Sequence, residues 1–261
     1  MKKSVKNLIK LFFKTCNIGV LKHDTLQRLL INESAADDIE FLLALNNKYT
    51  LELIQSLRKS KSQLRQDLFV LSQLDFKRNG YFIEFGATNG IDLSNTYLLE
   101  KEFGWAGILA EPARCWHKNL QKNRGVHIEK NCVWSDSNSV LNFNEAEAAE
   151  LSTINFFSNS DLHAQARKIG KSYQVNTISL NDLLIKYNAP VEIDYLSIDT
   201  EGSEFEILNH FDFNKHNFNV ITCEHNFTPM REKIFKLLSE NGYVRKFQEL
   251  SRFDDWYVLS R

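Results

Sequence analysis

Short apolar segments alternate with helical segments from about residue 63 to about residue 240, and this order limits the possible folds more than any other feature. Such alternation is typical of a parallel sheet that helices cover on both faces. It predicts a doubly wound α/β sheet. The candidate strands are YFIEFG (81–86), AGILAE (106–111), VHIEKNCVW (126–134), DYLSID (194–199) and NVITCEH (219–225).

The C-terminal segment departs from this order. YVRKFQEL and DWYVLSR are candidate strands with only a short polar loop between them, which predicts an antiparallel hairpin. Helices are predicted in NTYLLEKEF, in SEFEILNHF, where Ser203 and Glu206 have capping-box spacing, and in REKIFKLLSE. Thr228-Pro229 would start that last helix and Asn241-Gly242 would end it. The polar stretch 135–172 lacks a regular pattern and could carry a lid or substrate loop.

The first 60 residues differ from the rest, so we predict an N-terminal helical extension (1–60) before the main domain (61–261). VKNLIKLFFK has the period of a basic amphipathic helix, and DDIEFLLALNNKYTLELIQSL is also helical in period. The basic helix could contact an anionic membrane surface from the cytoplasmic side. It could equally pack on the main domain or on another copy of the chain in a homo-oligomer.

Composition narrows the function classes. The chain has 261 residues, 43% of them hydrophobic, and a net charge of -1, as in an ordinary soluble globular protein, with no global basis for nucleic-acid binding. No apolar run reaches the roughly 20 residues of a membrane span, and no secretory pattern is visible, so a cytoplasmic location is expected. The four cysteines lack metal-ligand spacing and are predicted to be reduced thiols, at positions Cys16, Cys115, Cys132 and Cys223.

Ligands of open α/β sheets bind beyond the carboxyl ends of the strands. The first strand leads into a glycine turn, which lacks the Gly-x-Gly-x-x-Gly dinucleotide spacing and a Walker lysine. Such a turn either brings the backbone close to a ligand or is merely structural. Its candidate binding residues are Glu84, Gly86, Ala87, Asn89, Gly90, Ser94 and Asn95.

Acidic residues follow three other strands. Glu111 stands 21 residues after Gly90, where an acid accepts hydrogen bonds from ribose hydroxyls in nucleotide sites. Asp199 and Glu201 follow the fourth strand, at a place where buried carboxylates usually have a function. Glu224, His225 and Asn226 close the fifth strand, and His225 is either a general base or a hydrogen-bonded structural residue. No metal is expected, although Asp199, Glu201, Glu224 and Asn226 could instead bind Mg²⁺.

These motifs together resemble the FkbM family of S-adenosylmethionine-dependent methyltransferases. The resemblance covers about three quarters of the chain and lies in RQDLFVL (65–71), GYFIEFGATNGIDLSNTYLLEKEFGWAGILAEP (80–112), TISLNDLL (177–184), IDYLSIDTEGSEFEIL (193–208) and VITCEHN (220–226). Several linked motifs in one order are far more specific than a single glycine turn. The resemblance implies a seven-stranded, Rossmann-like catalytic domain and S-adenosylmethionine as cofactor.

The resemblance also implies roles for the strand-end residues. Glu84 and the Gly86 to Gly90 turn would hold the methionine end of the cofactor, with Ser94 and Asn95 at the helix start. Glu111 would hold the ribose, and Asp199 would face the methyl group. The adenine would lie near Asn131, Ser135 and Asp136.

The implied reaction is O-methylation, often of a sugar hydroxyl in a bacterial surface glycan or of a secondary metabolite. The predicted base is His225, with Asp199 positioning the acceptor; alternatively Asp199, Glu201 or a metal-bound alkoxide serves. Phe156, Phe157 and Trp256 could stack on a pyranose or be core residues. Two rival functions are an NAD(P)-dependent sugar-nucleotide oxidoreductase and a non-catalytic nucleoside-binding member of the fold.

Overall fold

The computed structural model describes residues 23–45 and 48–260, and the predicted basic helix near the N-terminus lies outside these ranges. The chain forms two compact units, one ending at Ala44 and one beginning at Leu45. The first unit contains most of helix α1 (His23–Leu45). No helix among the described residues is long and apolar enough to cross a membrane. The predicted domain boundary at residues 60 and 61 stays a prediction.

The second unit is an α/β domain. Its helices are α2 (Thr50–Ser56), α3 (Gln66–Gln73), α4 (Tyr97–Phe103), α5 (His117–Asn123), α6 (Leu180–Lys186), α7 (Glu204–Asn209) and α8 (Met230–Glu240). Its strands are β1 (Tyr81–Phe85), β2 (Ala106–Ala110), β3 (His127–Glu129), β4 (Cys132–Trp134), β5 (Val140–Ala146), β6 (Thr153–Ile154), β7 (Gly170–Ser179), β8 (Glu192–Ile198), β9 (Asn217–Glu224), β10 (Tyr243–Lys246) and β11 (Asp254–Leu259).

The main sheet has seven strands in the order β10-β11-β9-β8-β1-β2-β3. The five strands from β9 to β3 are parallel, whereas β11 runs antiparallel to β9 and pairs with β10 in the predicted hairpin. The apolar side chains of β1, β8 and β9 are buried, as parallel strands covered on both faces require. The predicted fold class is therefore confirmed.

The register of the central strands builds one row of residues. Phe85 pairs with Ala110 on one side and with Ile198 on the other, and Ile198 pairs with Cys223. The next residue of each strand therefore reaches the same edge of the sheet. These next residues are Gly86, Glu111, Asp199 and Glu224.

The predicted strand at 126–134 is wrong as one strand. β3 belongs to the main sheet, but β4 pairs with β7 in a second sheet of order β4-β7-β5-β6. The chain turns between them, because the Glu129 carboxylate accepts the N–H groups of Lys130 and Asn131 at 2.8 and 2.9 Å. The stretch 135–172, in which the sequence shows no regular pattern, contributes β5, β6 and the first residues of β7 to this second sheet.

Two predicted helix caps differ from the structure. α7 begins directly after Ser203, as predicted, but the Ser203 hydroxyl donates to Thr200 Oγ1 at 2.7 Å and makes no capping hydrogen bond with the helix. The helix α8 begins at Met230, directly after Pro229, and no side chain forms a capping hydrogen bond there. Its end is as predicted: Asn241 is the C-cap, and Gly242 has the positive φ of 87° that favours glycine.

Candidate functional site

A cavity of about 380 Å³ opens at the carboxyl edge of the main sheet, and residues from both sheets line it. The main sheet contributes its strand ends, and the second sheet contributes apolar residues of β4, β5 and β6. Seven acidic side chains line the cavity, and no lysine or arginine of the described residues does. The cavity is therefore suited to a ligand that carries positive charge. Of the site residues predicted from the sequence, the following line the cavity: Glu84, Gly86, Asn95, Glu111, Asp199, Glu201, Glu224 and Asn226.

Gly86 is required by the close approach of two strands. Its φ is +75°, and a Cβ atom there would lie 2.0 Å from the backbone oxygen of Asp199. The Gly86 N–H donates to Ala110 O at 3.1 Å, so the residue is held between β8 and β2. No larger residue fits without separating the strands that form the site.

We expect Gly86→Ala to destabilise the domain by more than about 2 kcal/mol, from the clash and the positive φ together. The measurement is a urea unfolding curve followed by circular dichroism. Gly125→Ala is the matched control, since its Cβ would meet its nearest neighbour at an ordinary 3.5 Å. Equal unfolding midpoints for the two variants would show that the approach is not tight.

Four predicted residues of the turn, Ala87, Asn89, Gly90 and Ser94, lie outside the cavity lining. Three of them have contacts that shape the turn. Asn89 Oδ1 accepts the N–H groups of Ile91 and Asp92, both at 2.9 Å. A Cβ on Gly90 would lie 2.6 Å from Arg124 Cγ. The Ser94 hydroxyl donates to Glu84 at 3.0 Å, so these residues hold the shape of the turn.

The Glu84 carboxylate accepts hydrogen bonds from three neighbouring groups, which fix its orientation. Besides Ser94, the N–H of Asn95 at 2.6 Å and the hydroxyl of Thr96 donate to its carboxylate. Arg124, which the sequence analysis did not single out, lies 3.6 Å from the same carboxylate with a fully buried side chain. Asn95 Nδ2 donates to Ser197, and Asn95 Oδ1 is buried without a hydrogen-bond partner. The site thus contains an unused acceptor beside a fixed carboxylate.

Glu111 lies where the sequence predicts an acid for ribose. Its carboxylate accepts the N–H groups of Thr88 at 2.8 Å and Ala113 at 2.7 Å, which fixes its orientation. Burial raises the pKa of Glu111 to about 7, and the nearby Asp199 and Glu145 carboxylates add to the rise. The remaining lone pairs of the carboxylate can accept hydrogen bonds from hydroxyl groups of a ligand.

The cavity is not lined by the three predicted adenine contacts, Asn131, Ser135 and Asp136. The prediction assumed one continuous strand, whereas the chain turns at Lys130 and Asn131 and β4 then joins the second sheet. Ser139 donates to Asp136, and Asp136 is exposed. In their place the cavity wall has an apolar part, formed by Cys132, Val133 and Phe143.

Three carboxyl groups meet where β8 and β9 end. Oxygen atoms of Asp199, Glu201 and Glu224 all lie within 4.8 Å of one another. Burial raises the pKa of each group, to about 7 for Asp199, and repulsion from Asp199 raises the pKa of Glu201 and of Glu224 further. The structure therefore brings together the acids that the sequence predicts at two strand ends.

Arg167 lies between β6 and β7 of the second sheet and forms an ion pair with Glu201 of this acidic group. Its guanidinium donates to Glu201 at 2.6 Å, to both oxygens of Asp161 at 2.9 Å and to the backbone oxygen of Leu151 at 2.7 Å. Asn226 Nδ2 donates to the same Glu201 oxygen at 3.1 Å. Arg167 stands in the segment predicted to be irregular, and no spacing in the sequence indicates this contact.

His225, the predicted base, does not line the cavity. The N–H of Phe227 donates to its Nδ1 at 3.0 Å, and its Nε2 lies 3.2 Å from the backbone oxygen of Asp254. This pattern fits a neutral ring that donates from Nε2, and burial also lowers the pKa of His225. The imidazole that does line the cavity belongs to His163, on the loop between β6 and β7.

The aromatic residues considered for sugar stacking differ widely in exposure. Trp256 is fully buried and stacks on Phe69, with ring centroids 4.7 Å apart, so it is a core residue. Phe157 packs against Gly202. Phe156 is 85% exposed and remains accessible to a ligand.

Known proteins share features with this chain. A family model described as the methyltransferase FkbM domain matches residues 84–245. No curated protein matches the chain. Among solved structures, precorrin-6y C5,15-methyltransferase from Geobacter metallireducens GS-15 is 12% identical, with 74% of this chain and 85% of that chain covered and a TM-score of 0.40.

A ribosomal protein L11 methylase from Lactobacillus delbrueckii subsp. bulgaricus is 11% identical, with 75% of this chain and 76% of that chain covered and a TM-score of 0.36. Both likenesses are distant and leave the substrate of this chain open. The family model is the stronger finding, because it spans more than half of the chain and includes every strand end around the cavity. The chain therefore belongs to the FkbM methyltransferase family.

Proposed function

We propose that this methyltransferase binds S-adenosylmethionine in the cavity and transfers its methyl group to a hydroxyl oxygen. The acceptor we propose is a sugar of a bacterial surface glycan or its precursor, or a secondary metabolite. The observation that carries the proposal is the acidic cavity at the aligned strand ends, where Glu111 and Asp199 stand in one row and Glu84 lies near the end of β1 beside them. A cofactor with a cationic sulfonium and a cationic amino group suits such a lining.

The residues present fit this cofactor. Glu84 and the unpartnered Asn95 Oδ1 offer acceptors for an amino group at one end. Glu111 offers a carboxylate for the two ribose hydroxyls. The apolar wall of Cys132, Val133 and Phe143 suits the faces of a purine ring. A dinucleotide lacks the sulfonium, which is why we prefer the methyl donor to NAD(P).

S-adenosylmethionine, when bound, supplies an electrophilic methyl carbon on a sulfonium sulfur. The protein has to align the acceptor oxygen with that carbon, and orientation of this kind can contribute about 7 to 11 kcal/mol. Asp199 lines the cavity directly after the end of β8. We assign Asp199 the acceptor proton: its carboxylate takes the proton as the oxygen–carbon bond forms and the carbon–sulfur bond breaks.

The test of the cofactor is calorimetric titration of the protein with S-adenosylhomocysteine, with NADH as the control ligand. Micromolar binding of S-adenosylhomocysteine alone is expected. Binding of NADH alone would overturn the proposed cofactor and favour the oxidoreductase. Transfer of radiolabelled methyl groups to glycan and sugar-nucleotide fractions then identifies the acceptor; binding without transfer to any fraction would favour a non-catalytic member of the fold.

Asp199→Asn tests the proposed proton acceptor. We expect kcat to fall by about 10² to 10⁴, the usual contribution of a general base, while affinity for S-adenosylhomocysteine changes only a few-fold. Asp136→Asn removes an exposed carboxylate outside the cavity and should leave both quantities unchanged. Wild-type turnover in Asp199→Asn would remove this residue from the proton transfer.

A further inference from the structure

The three carboxylates at the ends of β8 and β9 have too few cationic partners. Glu201 is paired with Arg167, but that guanidinium also serves both oxygens of Asp161. Within residues 23–45 and 48–260, no lysine or arginine forms an ion pair with Asp199 or Glu224. Two carboxylates in a recessed cavity therefore face each other without a balancing positive charge. A cation bound between them would remove this repulsion.

Glu224 supplies independent evidence for a missing ligand. The residue is 6% exposed, yet its Oε2 atom is buried without a hydrogen-bond partner. Buried polar atoms are nearly always satisfied, and an unsatisfied carboxylate oxygen is costly. Glu224 also lines the cavity, so its carboxyl group is placed toward the space where a ligand would bind.

From this geometry we propose that Asp199, Glu201 and Glu224 bind a divalent cation, Mg²⁺ or Mn²⁺. Carboxylate oxygens are the ligands that these hard ions prefer. Around Mg²⁺, oxygen ligands at about 2.0–2.1 Å stand at most about 4.2 Å from each other, so the observed 4.8 Å limit requires only a small closure. Asn226, which donates to Glu201, would orient that ligand.

The ion would add a function that the proposed methyl transfer does not itself require. Three carboxylates fill only part of an octahedral shell, which leaves positions for oxygen atoms of the acceptor. An acceptor with two adjacent hydroxyl groups could bind through both oxygens and be held in one orientation. The cavity would then select acceptors by the spacing of their oxygens, as well as by shape.

The test uses the full chain after treatment with EDTA, without cofactor or acceptor. MnCl₂ is titrated and bound ion is measured by electron paramagnetic resonance, with MgCl₂ as the competing ion. We expect one Mn²⁺ per chain, displaced by Mg²⁺. Glu224→Gln should weaken Mn²⁺ binding by at least about tenfold, the smallest loss usual even for residues that only support a ligand.

Glu150→Gln is the matched control, because Glu150 is an exposed acid of the same cavity outside the three-carboxylate group. It should bind Mn²⁺ as the wild type does. Glu201→Gln serves as a second ligand variant. Absence of stoichiometric Mn²⁺ binding in the wild type, or equal weakening by Glu224→Gln and Glu150→Gln, would overturn the proposal. Because the assay contains no cofactor, either result leaves S-adenosylhomocysteine binding as a separate test of the proposed function.

Discussion

Replacing Glu111 with glutamine is expected to weaken the binding of S-adenosylhomocysteine by at least about 100-fold. A hydrogen bond to a charged group contributes about 1.5–3 kcal/mol, and the carboxylate would accept two from the ribose. Glutamine also places an NH₂ group against the N–H donors of Thr88 or Ala113, which now meet the two carboxylate oxygens. Calorimetry on the folded variant measures the loss. Glu240→Gln, at an exposed acid at the end of α8, is the control and should bind normally.

The pH dependence of S-adenosylhomocysteine binding tests whether the ionised Glu111 carboxylate contributes to the affinity. Burial raises the pKa of Glu111 to about 7, and only its ionised form accepts both ribose hydroxyls. The affinity of the wild type should therefore fall as the pH drops below about 7, by up to about tenfold per pH unit. Other acids of the cavity titrate as well, so the quantity to compare is the difference between the wild-type and Glu111→Gln profiles. Parallel profiles and equal affinities would show that Glu111 does not contact the cofactor.

Replacing Arg167 with alanine is expected to destabilise the domain by about 3 to 5 kcal/mol. The side chain is fully buried and paired with both Asp161 and Glu201, so its removal leaves two buried carboxylates without their cation. The measurement is urea unfolding of the purified variant. Because Arg167 also holds Leu151 beside the cavity, activity should fall with stability.

Two variants separate the ion pair from general effects of charge. Lys168→Ala removes the adjacent, exposed positive charge and should change the unfolding free energy by less than about 0.5 kcal/mol. Arg167→Lys keeps the charge but cannot reproduce the forked contacts, so we expect an intermediate loss. A loss below about 1 kcal/mol for Arg167→Ala would mean that the two carboxyl groups are satisfied without it.

The sequence predicts the main-sheet part of the site well, for a physical reason. Parallel strands end at one edge, so the acids near the ends of β1, β2 and β8 had to lie together, and Glu84, Glu111 and Asp199 do line one cavity. His225 shows the limit of this reasoning. It follows Glu224, and successive side chains of an extended segment point to opposite sides. One of the two neighbours therefore faces the cavity, and strand position alone does not tell which.

The sequence patterns did not predict the second sheet. Its strands carry polar residues at buried positions: Asn144 in β5 is 8% exposed and donates to Ser158 and to the backbone of Arg167. Such inward polar residues remove the alternation by which strands are recognised. Arg124 and Arg167 were missed for a related reason. Arg124 pairs with Glu100, 24 residues earlier in the chain, and Arg167 pairs with Glu201, 34 residues later. No local sequence pattern predicts contacts between residues so far apart.

The shared register of β2, β1, β8 and β9 has a consequence for folding. A slip of one residue between any two of these strands would move a carboxylate by about 3.3 Å and turn it to the opposite face. Correct pairing of the strands and assembly of the candidate site therefore require the same register. A chain with a misaligned sheet would lack the aligned carboxylates, so a ligand that binds them would favour the correctly aligned fold.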